Sequence, residues 1–242
     1  QVAEGSGTQT AVKLSELGDD AKKKLFEGTV GDNPIVPFFS WAPDSEHYVF
    51  TSSTPIGYDL FIGALKGDVY PFTPGDAEAD VFPRWSPNRE GTQHIAYMRD
   101  GKIMVQKLKP EAGKFTPEGD PLAISPKECE EALFPEWSPD GAFLAFSATQ
   151  KGNFDLYLYD LATGKSTRLT DTRDVQEYHP VWSPDGAFLA CYSKKKDTDA
   201  FGMALLTAAP KPRPITHQIT PDMTSFPLSE AEVLLVDRVH PS

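Results

Sequence analysis

Short apolar runs separated by polar turns recur along this chain, and they predict strands. Residues 153–160 (Asn-Phe-Asp-Leu-Tyr-Leu-Tyr-Asp) alternate and are rich in aromatics, as a half-buried strand requires. Residues 143–146 and 188–192 are continuous apolar runs, each just after Pro-Asp-Gly, and predict strands buried on both faces. After the turn Leu161-Ala-Thr-Gly164, residues 165–170 predict an outer strand. Residues 48–52, 58–65 and 68–73 repeat the same series earlier in the chain. The unit is four antiparallel strands in about 45 residues, which is a propeller blade.

Every tryptophan marks the start of such a unit. The phrases are Trp41-Ala-Pro-Asp, Trp85-Ser-Pro-Asn, Trp137-Ser-Pro-Asp-Gly and Trp182-Ser-Pro-Asp-Gly, spaced 44, 52 and 45 residues apart. That period indicates a propeller or solenoid. Residues 134–145 and 179–190 agree at ten of twelve positions. Proline presets the first turn torsion, aspartate caps the turn, and glycine accepts a positive φ. The four tryptophans are therefore expected to hold blades together.

Pro-x-Trp-Ser-Pro-Asp-Gly, then Leu-Ala-Phe-Ser, Asp-Leu-Tyr-Leu-Tyr-Asp and Arg-Leu-Thr together resemble the WD40-like (PD40) repeat of the TolB-like β-propeller family. The resemblance covers roughly residues 37–236. The second copy departs from it, with Asn88-Arg-Glu-Gly in place of Asp-Gly and an enlarged outer region over residues 107–128. A fifth copy is degenerate, keeping Phe226-Pro-Leu-Ser and an apolar run at 233–236 but no tryptophan.

The expected fold is all-β: a single propeller of four-stranded antiparallel blades, residues 37–242. Copies beginning near 37, 81, 133, 178 and 225 give five blades; an incomplete six-bladed ring is the alternative. The last copy has room for two strands, and residues 8–15 resemble an outer strand able to complete it, which would remove exposed edges. Residues 1–36 would thus supply a closing strand and a short helix at 19–28, where an acidic start, central lysines and a final glycine fit helix boundaries.

Charge and composition narrow the function. A net charge of −12 argues against nucleic-acid binding, which needs a cationic face. The short lysine runs at 22–24 and 194–196 read as solvated. No apolar run is long enough for a transmembrane helix. The chain starts at Gln1, which fits a mature exported protein and equally a trimmed one. The family resemblance implies a periplasmic or other cell-envelope location. Cys129 and Cys191 are expected to remain unpaired.

The position three before each tryptophan reads Phe38, Phe82, Phe134 and His179, with Phe226 at the matching place in the fifth copy. Innermost strands line the channel, so these residues are expected at its mouth, either wedging blades or gripping an inserted peptide. The connections entering these strands carry Asp76, Glu78, Asp80, Glu128, Glu130, Glu131, Asp171, Asp174, Glu177 and Asp222. They predict an acidic rim around an aromatic centre, suited to a basic protein segment. Carboxylates at the mouth could hold a calcium ion, although no Asp-x-Asp-x-Asp-Gly loop is present.

Catalysis is not expected. Peptidases built on such propellers need a Gly-x-Ser-x-Gly hydrolase domain, and the motif is absent here. His47, His94, His179, His217 and His240 are scattered, so three ligands for one metal are not evident. The expected function is a non-catalytic protein-binding scaffold or accessory subunit. The alternative is a carbohydrate or small-molecule binder, or a metal-dependent lyase, acting at the channel.

Overall fold

The computed structural model describes residues 38–54, 57–73, 75, 77–88, 90–196, 201–207, 213–215 and 234–237. All elements among them are strands, arranged in four sheets. No helix among the described residues is long and apolar enough to cross a membrane. The N-terminal closing strand, the 19–28 helix, Phe226, Asp76 and Asp222 lie outside the described residues.

The first sheet contains β1 (Phe39–Trp41), β2 (His47–Ser53), β3 (Tyr58–Ala64) and β4 (Val69–Pro71) in sequential antiparallel order. The second holds β5 (Asp80–Trp85), β6 (His94–Arg99), β7 (Lys102–Glu111), β8 (Lys114–Pro117) and β9 (Leu122–Ala123). The third repeats the simple meander with β10 (Ala132–Trp137), β11 (Phe143–Gln150), β12 (Asn153–Asp160) and β13 (Lys165–Arg168). The fourth is β14 (Val175–Trp182), β15 (Phe188–Lys195), β16 (Phe201–Thr207), β17 (Arg213–Ile215) and β18 (Leu234–Asp237).

The turn phrase works as expected. Asp140 Oδ1 accepts from the Ser138 hydroxyl and the Ala142 amide, while Ser138 Oγ accepts from the Phe143 amide. Ser183 and Asp185 repeat every one of these bonds. Gly141 and Gly186 both sit at φ 69°, a torsion that favours glycine.

Three apolar layers lie between the four sheets. Val49, Leu60 and Ile62 meet Trp85, Ile95 and Tyr97; Ile103 and Val105 meet Trp137, Leu144 and Phe146; Ala145, Leu156 and Leu158 meet Trp182, Leu189 and Leu206. Leu144 and Phe146 face one layer and Ala145 the other, which explains why this strand is apolar without alternation. Innermost strands of successive sheets pack together, β1 on β5, β5 on β10 and β10 on β14. The sheets thus stack face to face along an arc.

The enlarged region of the second copy is a hairpin extension. The outer half of β7 pairs with β8, while its inner half pairs with β9, the blade's outer strand. Phe115 at the hairpin packs edge-on against His47 and Trp85, and its amide donates to the Tyr70 hydroxyl. The insertion therefore braces the first sheet against the second.

Two observations bear on ring closure. Residues 234–237, expected in a fifth blade, instead form β18 between β16 and β17, parallel to β16. An outer edge offers unpaired amides and carbonyls that an extended segment satisfies. At the two ends of the arc, apolar faces are uncovered: Phe39 and Trp41 on the first sheet, Tyr192 and Met203 on the fourth, each at least half exposed. Trp41 accordingly lacks the burial of Trp85, Trp137 and Trp182.

Candidate functional site

Each innermost strand after the first is broken at the same place. Register slips by one residue between Val81 and Arg84, between Leu133 and Glu136, and between Tyr178 and Val181. The extra residue at each bulge is Phe82, Phe134 or His179, with φ of 56°, 55° and 56°. Large side chains rarely adopt this left-handed torsion. The Pro83, Pro135 or Pro180 that follows has no amide to offer the ladder. One strained torsion held in three successive sheets means that the surrounding packing enforces it.

The bulges aim the rings at one another. Phe38 packs on Phe82 at 4.2 Å between centroids, Phe82 on Phe134 at 4.7 Å, and Phe134 on His179 at 4.9 Å. Tyr192 extends the file, 6.1 Å from His179. The four expected residues are half-buried and form one continuous aromatic file. The His179 amide donates to Ser147 Oγ of the preceding sheet at 3.0 Å, fixing the register between third and fourth sheets.

The acidic rim is only partly present. Glu128, Glu130 and Glu131 are exposed on the connection into β10, and Asp174 is exposed before β14. Asp80 is fully buried, however, and takes two hydrogen bonds from the Arg99 guanidinium at 2.7 Å each. Glu78 pairs with the same arginine. Asp171 pairs with Arg168. Glu177 is buried and accepts from the Thr170 and Thr172 hydroxyls, both at 2.9 Å. Burial pushes its carboxyl up to about 7, against the opposing pull of those hydroxyls. Asp80 and Glu177 are thus structural groups, because their side chains turn between elements instead of outward.

His47 and His94 lie away from the file. His47 hydrogen-bonds Asp44 and the Gly113 carbonyl, and His94 packs on Trp137 with its pKa lowered chiefly by burial. Both cysteines are buried and free; burial pushes the Cys191 thiol up to about 12. No three His, Cys, Asp or Glu side chains among the described residues are grouped to hold a metal ion.

No family model matches the chain. Among curated proteins, dipeptidyl-peptidase 5 of Porphyromonas gingivalis is 27% identical over 162 residues, which is 61% of this chain and 23% of the peptidase. The Tol-Pal system protein TolB of Xanthomonas oryzae pv. oryzae is 41% identical over 49 residues, 20% of this chain and 11% of that protein. Among solved structures, TolB from Acinetobacter baumannii superposes with a TM-score of 0.53 at 16% identity, covering 70% of this chain and 40% of its own. The chain therefore spans well under half the length of these relatives. The likeness establishes the fold, a TolB-like β-propeller.

Proposed function

We propose that this propeller is a non-catalytic protein-binding module of an envelope-associated assembly, working in the periplasm or another exported location. The observation that carries the reading is the aromatic file Phe38–Phe82–Phe134–His179, whose last three members sit on strained bulges. Rigid, half-buried rings supply contact area at little entropic cost. Exposed Glu128, Glu130 and Glu131 supply a negative flank that favours a basic segment. No cofactor is needed for such binding.

The ring itself we take to be five blades over residues 37–242. The uncovered faces at Phe39/Trp41 and Tyr192/Met203 support a further blade seated between the first and fourth sheets. Residues 1–36 would contribute its closing strand.

A second reading follows from the likeness to a dipeptidyl-peptidase over 61% of this chain. In it, the same file guides peptides toward a hydrolase unit, so the propeller serves an enzyme without carrying the chemistry.

The test is capture of partners from a native envelope fraction with wild type, Phe134→Asn, and a Glu128→Lys/Glu130→Lys/Glu131→Lys variant. A stoichiometric protein retained by wild type and lost from both variants is the expected outcome. Equal capture by all three, or none by wild type, overturns the binding reading. Co-purifying peptidase activity would select the second.

A further inference from the structure

The junction between the third and fourth sheets carries a feature that the repeat does not need. A cleft of about 420 Å³ has Lys151, Asn153, Arg168, Asp171, Arg173 and Lys196 in its lining. Four cationic side chains therefore converge in a protein whose net charge is −12. The opposing carboxylates are Asp171 on the wall and the buried Asp155 beneath it, both paired with Arg168, together with exposed Asp174 next to Arg173 and buried Glu177 bonded to Thr172. Lys151, Arg173 and Lys196 have no ion pair among the described residues. The Nε of Arg168 is buried and has no hydrogen-bond partner among them.

The walls are fixed. Lys151 and Gly152 form a tight turn at φ 59° and 73°, which pins Lys151 at the hairpin tip. Asn153 Nδ2 donates to the Thr172 carbonyl at 2.7 Å and the Val175 carbonyl at 3.0 Å, tying that tip to the loop carrying Arg173. The Thr172 amide donates to Asp155, and its hydroxyl donates to Glu177. The Lys196 amide donates to the Asp174 carbonyl at 2.7 Å, placing this lysine at the opposite wall.

The equivalent junction between the second and third sheets shows the contrast. Asp100 stands where Lys151 does, and the entering connection carries exposed Glu128, Glu130 and Glu131. Blade geometry is satisfied equally well with acids there. Arg168 answers the buried Asp155, but Lys151, Arg173 and Lys196 thus lack such a structural requirement.

We propose that this cleft is a binding site for a small polyvalent oxyanion, a ligand bearing two or more phosphoryl or carboxylate groups. Guanidinium and ammonium donors bind both, and their hydrogen bonds to anionic oxygens are the strong, charge-assisted kind. The cavity lies within the range of small-ligand pockets, about 300–1,000 Å³. The site is separate from the aromatic file, so it stands or falls independently of the partner-binding reading.

The test is calorimetric titration of the whole chain with pyrophosphate and, separately, citrate, at fixed ionic strength. Wild type is compared with Arg173→Gln/Lys196→Gln, both positions being exposed, and with Lys109→Gln/Lys114→Gln on the distant hairpin. Urea unfolding of each verifies that the fold is kept. The expected result is saturable binding to wild type and the hairpin variant, weakened about tenfold or more in the cleft variant. The tighter of the two anions identifies the phosphoryl or carboxylate class. Absence of saturable binding by both anions overturns the proposal, as does equal affinity in the cleft variant.

Discussion

The indole Nε1 of Trp182 donates to the backbone carbonyl of Glu136 in the adjacent sheet, 3.1 Å away. Trp137 makes the matching bond to the Arg84 carbonyl at 3.0 Å. In each case the acceptor immediately precedes the tryptophan of the preceding blade, so one blade's signature residue locks onto the next. Trp85 departs from this pattern: its indole donates to Gln93 Oε1, and its backbone amide donates to Ser40 Oγ. Trp182→Phe should remove the indole donor to the Glu136 carbonyl, at about 1 kcal/mol plus lost packing. Urea unfolding of Trp137→Phe and Trp182→Phe is expected to show this loss. A change under about 0.5 kcal/mol in both would mean that the indole bonds contribute nothing net.

The blades were legible in the sequence because turn chemistry and burial on both faces leave local marks, and Asn153–Asp160 was readable residue for residue. The bulges were not. A residue before proline reads as extended, so nothing local announced φ near 55° at Phe134-Pro135. That Phe38, Phe82, Phe134 and His179 would meet followed from repeat alignment alone. The acidic rim was over-read because composition cannot tell an outward carboxylate from one turned onto Arg99, as Asp80 is. The cationic cleft was hidden because its members span residues 150–196 and converge only once two sheets dock.

Closure by a fifth blade makes a prediction at Phe39 and Tyr192. Each is 60% exposed on an end sheet. If another blade seats against them, Phe39→Asp and Tyr192→Asp bury a charge in an apolar contact and cost more than about 2 kcal/mol each. If these faces remain in water, both substitutions fall within about 0.5 kcal/mol of wild type. Denaturant midpoints at constant slope distinguish the outcomes, and the second rules out closure over these faces.

Phe134 separates folding from binding. Asparagine accepts a left-handed torsion more readily than phenylalanine, so Phe134→Asn relieves backbone strain of about 1 kcal/mol while removing two ring contacts. The opposing effects should leave stability within about 1 kcal/mol of wild type. Partner capture, which depends on the file, should be lost. Loss of both together would indicate that the ring is chiefly structural.

Asp59 and Asp155 occupy equivalent positions in the first and third sheets with different surroundings. Asp155 is paired with Arg168, which lies opposite Tyr157 in the ladder. The corresponding position opposite Phe61 is Pro71. Both oxygens of buried Asp59 therefore lack a hydrogen-bond partner among the described residues. Replacing an unpaired buried carboxylate by an amide lowers its desolvation cost. Asp59→Asn should raise the melting temperature, equivalent to about 1 kcal/mol, whereas Asp155→Asn should lower it by weakening the Arg168 pair. Opposite signs in parallel thermal scans are the expected result; equal losses would show that Asp59 also has a partner.

Glu177 sets a pH dependence with a definite sign. Its carboxyl is buried and raised to about 7, from an ordinary value of 4.5, chiefly by desolvation. Between these values the folded protein holds a proton that the unfolded chain releases, so stability falls as pH rises across the window. Below about 4.5 the group is neutral in both states and imposes no penalty. Above about 7 the folded state carries a buried carboxylate, opposed only in part by the two threonine hydroxyls. The full difference is on the order of 3 kcal/mol. Glu177→Gln retains an acceptor for Thr170 and Thr172 but removes the titration. Unfolding free energies of wild type and variant should therefore diverge between pH 5 and pH 8, with the variant the more stable at pH 8. A constant difference across that range would place the Glu177 pKa at its ordinary value.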